Sequence, residues 1–97
     1  MVLFTAGIVF AQEEDADLYN RQGIEYYNEG DYTKAIESFL KAIDLFEKTV
    51  GKDHPDYATS LNNLGLLYAN MGDYAKAEKY LLEGIKTEVI LLQLSKA

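Results

Sequence analysis

Apolar and small residues recur along this chain at helical intervals. Tyr19, Gly23, Tyr26 and Gly30 follow one another four and three residues apart, the period of one helix face. Ala35, Ile36, Phe39, Leu40, Ile43 and Phe46 form a second stripe, which predicts a helix running to about Thr49. Between them, Gly30 supplies the left-handed residue that ends a helix, and Asp31 is a good cap for the next. Val50-Gly51-Lys52 makes the exit. Asp53-His54-Pro55-Asp56 then opens a third helix, with a capping residue ahead of Pro55 in the first turn and Asp56 near the positive helix end; His54 there reads as a cap or turn residue. Leu61, Leu64, Gly65 and Tyr68 repeat the first face, Gly72-Asp73 the turn, and Ala77, Tyr80, Leu81 and Ile85 the second stripe.

The repetition is literal. An offset of 42 residues places Ala16 on Ala58, Asn20 on Asn62, Gly23 on Gly65, Tyr26 on Tyr68 and Asn28 on Asn70. It then places Gly30-Asp31-Tyr32 on Gly72-Asp73-Tyr74, Lys34-Ala35 on Lys76-Ala77, Leu40 on Leu82, and Ile43 on Ile85. Residues 16–57 therefore make one helical hairpin, and residues 58–97 a second with a C-terminal helical extension. Small residues set the crossing: Gly23 is expected to face Ala35 and Gly65 to face Ala77, with the Tyr26 and Tyr68 rings filling the space beside them.

Helical hairpins carrying Gly-x-x-Tyr and then Gly-Asp-Tyr-x-x-Ala resemble tetratricopeptide repeats. The 42-residue spacing and the string from Gly51 through Asp53-His54-Pro55 to Leu61-Asn62-Asn63-Leu64-Gly65 and Tyr68 resemble the longer, kinesin-light-chain-like variant. The likeness covers about residues 16–87. Gln22 departs from it, standing where Leu64 gives the usual apolar residue, and so does Gly84, where Ala42 gives the usual alanine. The resemblance implies an all-α fold: an α-solenoid of two hairpins with right-handed superhelical stacking, extended by the C-terminal helix. It also implies a non-catalytic module that binds a peptide or partner protein in the concave groove.

The predicted groove face follows from helix geometry. At about 100° per residue, Asn20, Ile24, Tyr27 and Asn28 fall away from the Gly23 crossing, together with Asp17 and Arg21. Asn62, Asn63, Leu66 and Asn70 are their counterparts, with Thr59 and Ala69. Asparagines weaken an exposed helix, because their side chains compete for backbone hydrogen bonds. An amide both donates and accepts, so it pairs with the backbone of a peptide of almost any sequence. The competing reading is a solvated face that happens to be rich in amides. In the kinesin-light-chain-like variant, asparagines on this face contact peptide; Asn62-Asn63 match that motif, while Arg21 follows Asn20 where a second Asn would stand.

Charge and composition narrow the partners. The formal charge is −7, which disfavours nucleic acid and favours neutral or basic ligands. There is no cysteine, and the single His54 lies in a helix-opening segment, so no metal site, cofactor or catalytic group is predicted. Met1–Ala11 carry no charge. This apolar run is half of a membrane span and reads as a signal-peptide remnant, followed by an acidic lead-in at residues 12–15. A helix or strand folded onto the domain and an uncleaved anchor are the other readings of the run. A signal implies export to a periplasm or medium; without one the protein is cytoplasmic. At the other end, Val89, Ile90, Leu91, Leu92 and Leu94 are too few for stable membrane insertion. They are expected either to fold back as a cap or to pack against another copy. A self-associating structural unit, using open repeat ends and this helix, is the alternative function.

Overall fold

Both hairpins fold where the glycine–aspartate pairs place their turns. The computed structural model describes residues 2–96, with side chains from Asp15 onward. Among the described residues the elements are helices only: α1 (Val2–Glu29), α2 (Tyr32–Thr49), α3 (Pro55–Asn70) and α4 (Tyr74–Lys96). α1 packs on α2, α3 on α4, and α2 joins the hairpins by packing on α3. The α1 backbone runs without a break through the acidic lead-in, while the signal-peptide reading of Met1–Ala11 concerns side chains outside the described residues.

The turns are made in the same way twice. Gly30 takes φ +82° and Gly72 φ +85°, a region that costs other residues strain. The Gly30 N–H donates to Tyr27 O at 3.0 Å and the Asp31 N–H to Tyr26 O at 2.9 Å. Gly72 and Asp73 donate in the same pattern to Ala69 O and Tyr68 O. Carbonyls that α1 and α3 would otherwise leave open are thereby satisfied. Asp31 and Asp73 then accept from the Lys34 and Lys76 N–H groups at 3.2 and 3.3 Å, starting α2 and α4.

His54, read from the sequence as a cap or turn residue, is the cap of α3: its imidazole Nδ1 accepts the Asp56 N–H at 3.1 Å. Pro55 explains the position. It occupies the first helical position and forces the residue before it into the extended conformation of a cap, and His54 has ψ 140°.

The helix crossings also lie one turn later than the sequence suggests. A Cβ added at Gly23 would stand 2.6–2.9 Å from three Phe39 ring carbons, and one at Gly65 would meet Leu81 Cγ at 2.6 Å. The glycines therefore make room for large side chains on the opposite helix, not for Ala35 and Ala77. Both alanines are buried nonetheless, in a cluster with Phe39, Leu64, Leu67 and Tyr68. A second cluster joins Ala16, Ala42 and Phe46 to Tyr57 and Leu61. Each cluster contains residues of α2 and α3, so burial across that boundary holds the repeats together.

Three positions predicted as core are exposed. Gly30 lies in the turn, while Leu40 and Ile85, which correspond across the repeat, are 41% and 52% exposed. On α2 the buried line is Ala35, Phe39, Ala42 and Phe46, and Leu40 sits one residue beside it. On α4 the buried residues are Ala77, Gly84 and Thr87. These small residues, with Leu81 against Gly65, carry the close contact with α3, and Ile85 does not.

Candidate functional groove

The hairpin stacking sets α1 and α3 side by side over α2. Between them opens a cavity of about 370 Å³, lined by Ile24, Tyr27 and Asn28 of α1 and by Asn63, Leu66 and Asn70 of α3. Phe39 of α2 and Leu67 of α3 complete it. This volume lies at the small end of ligand pockets and fits a few side chains. Ile24 and Leu66 are 42% and 56% exposed, so they offer apolar surface at the groove. Phe39 and Leu67 are buried and form its base.

Polar groups frame this apolar surface. The Asn70 amide donates to the Tyr27 hydroxyl, linking the last turn of α3 to α1. The Tyr27 ring stacks on Tyr32, with centroids 5.6 Å apart. Asn63 is half-buried and Asn28 exposed, and neither side chain appears in a hydrogen bond among the described residues. Among the described residues, no charged side chain lines the cavity. The Asp17–Arg21 ion pair, 2.9 Å long, lies earlier on α1 and is exposed.

Two predicted residues stand apart from the cavity. Asn20 accepts a hydrogen bond from the Ser60 hydroxyl at 3.2 Å, tying α1 to α3. Asn62 turns toward α4 and donates to Glu88 Oε1 at 2.6 Å. Gly84 makes this possible: a Cβ there would collide with the Asn62 amide oxygen. The departure from alanine at position 84 and the orientation of Asn62 are therefore one feature. Sequence reasoning placed Phe39 only in the core and did not single out Leu67. Their part in the groove depends on how α2 sits beneath α1 and α3, which no single-helix pattern contains.

A sequence profile of the tetratricopeptide repeat family matches residues 14–87. The chain belongs to that family. A comparison with curated proteins finds no significant match. Tetratricopeptide repeats mediate protein–protein interaction, and two such repeats account for every turn and core cluster described above. Among the described residues, no group of His, Cys, Asp and Glu is placed to hold a metal ion, and no helix is long and apolar enough to cross a membrane. His54, in this tetratricopeptide module, is engaged as the α3 cap.

Proposed function

We propose that this protein is a non-catalytic binding module that holds an extended segment of a partner protein in the α1–α3 groove. The supporting observation is convergence: Ile24, Tyr27, Asn28, Asn63, Leu66 and Asn70, chosen from two sequence-distant helices, line one cavity. Ile24 and Leu66 would contact ligand side chains, while the amides of Asn28, Asn63 and Asn70 would pair with its backbone. Backbone pairing reads little sequence, so selectivity would come from the small apolar cavity. A net charge of −7 favours neutral or basic segments, and salt weakens that preference.

Selection of a displayed random-peptide library on the chain, followed by calorimetry of the selected peptides, tests the reading. Asn63→Ala should weaken binding by up to about tenfold through the loss of one hydrogen-bonding group, and Leu66→Glu should weaken it by placing a charge where apolar contact is made. Asn62→Ala should bind as the parent does, because that amide is committed to Glu88. Equal affinity for the parent and both groove variants would sink the groove assignment.

A further inference from the structure

The two repeats reveal what the second helix of a hairpin requires. Ile43 of α2 packs against both core clusters and Val50, the residue that caps its C-terminal end, against one, and those clusters contain Leu61, Leu64 and Leu67 of α3. The 42-residue offset carries Ile43 onto Ile85 and Val50 onto Leu92 of α4. Here the two equivalent positions lie open: Ile85 and Leu92 are 52% and 56% exposed, and beside them Leu82 and Val89 are 50% and 46% exposed. Their spacing of three, four and three residues is that of a seam that receives another helix. The opposite side of α4, with Ala77, Gly84 and Thr87, is already buried on α3.

Two parts of a second copy compete for this seam. Its α1 would extend the stack as α3 does on α2, but α1 carries the wrong residues. Where α3 has Tyr57, Leu64 and Leu67, α1 has Asp15, Gln22 and Glu25, with Leu18 at the place of Ser60. Burying those two carboxylates and that amide against leucine and isoleucine, without partners, is unfavourable. The α4 of a second copy is apolar where the first is apolar. The charges flanking its seam, Lys79, Glu83, Lys86 and Glu88, are of both signs.

We propose that the chain forms a closed two-fold dimer, with Leu82, Ile85, Val89 and Leu92 of each α4 packed against the partner's α4. A self-complementary patch closes after two copies, whereas head-to-tail stacking would continue. The α1–α3 groove lies away from this seam, so the dimer carries two grooves, and a ligand with two binding segments gains avidity.

Sedimentation equilibrium of the full 97-residue chain across a dilution series tests this. The expected result is a mass of two chains that falls to one on dilution. Added salt should favour the dimer by screening two bodies of charge −7, the opposite of its effect on a basic groove ligand. Ile85→Ala improves intrinsic helix propensity, so it cannot act by weakening the helix, yet it should raise the midpoint concentration by roughly tenfold or more. Val89→Glu should leave a helical monomer, and Leu66→Glu in the groove should leave the dimer intact. A single-chain mass at every concentration, an unmoved midpoint for Ile85→Ala, or growth beyond two copies would each overturn the proposal.

Discussion

Gly23 and Gly84 both lie where helices cross, yet a methyl group added to each meets a different obstacle. At Gly23 it meets three carbons of the Phe39 ring, which is buried at the base of the groove and would have to shift from its place in the core cluster. Gly23→Ala should therefore cost about 1–3 kcal/mol in chemical denaturation, despite the better helix propensity of alanine. At Gly84 it meets the end of the Asn62 side chain, which can swing away at the loss of one hydrogen bond to Glu88. There the propensity gain of about 1 kcal/mol nearly offsets the lost bond, and stability should change little. The sequence marked Gly23 as a crossing residue, because the repeat aligned it with Gly65, and showed Gly84 only as a departure from the usual alanine. It did not show the register across the hairpin, since one turn up or down an opposing helix leaves the same periodicity. Burial also acts on titration. It pushes the Tyr57 hydroxyl above its ordinary value of 10.0, with Glu47 and Glu83 adding to the shift, and burial raises Tyr68 likewise. A phenol that holds its proton more tightly when folded stabilises the fold fully below that ordinary value, and the contribution fades as pH rises beyond it. Tyr57→Phe should make the fall in stability above pH 10 shallower, as followed by helical circular dichroism.

Helix boundaries were the most legible feature, because the chain marks them with chemistry instead of average hydrophobicity. Gly30, Gly51 and Gly72 each take positive φ at the end of a helix, with no other atom within 4 Å of where a Cβ would sit. The penalty of replacing one is then backbone strain alone. Gly72→Ala should destabilise the α3–α4 hairpin by about 1–2 kcal/mol, measurable as a lower urea midpoint with unchanged slope. The faces of α4 were harder to read, since Leu81, Leu82, Ile85, Val89, Ile90, Leu91, Leu92 and Leu94 surround much of its circumference. Such a helix has no single apolar stripe by which sequence can assign its inner side. Gly84 and Thr87, neither strongly apolar, turned out to mark that side.

At the scale of the whole molecule, the composition of the groove could be anticipated and its depth could not. Ile24, Tyr27, Asn28, Asn63, Leu66 and Asn70 share a face on their own helices, which angular spacing alone predicts. Asn20 and Asn62 satisfy the same spacing but are drawn away by Ser60 and Glu88, partners that lie 40 and 26 residues distant. The Asn70–Tyr27 contact bears on the proposed binding reading. It joins the last turn of α3 to α1 beside the groove and engages the Asn70 amide within the protein itself. A visiting backbone that claims the Asn70 amide must first undo it, so that exchange leaves the number of hydrogen bonds nearly unchanged. Tyr27→Phe should release the amide and tighten peptide affinity a fewfold, by up to about 1 kcal/mol in calorimetry. In the unaltered protein, grip on a proposed ligand would therefore come mainly from covering Ile24 and Leu66, the exposed apolar pair of the groove.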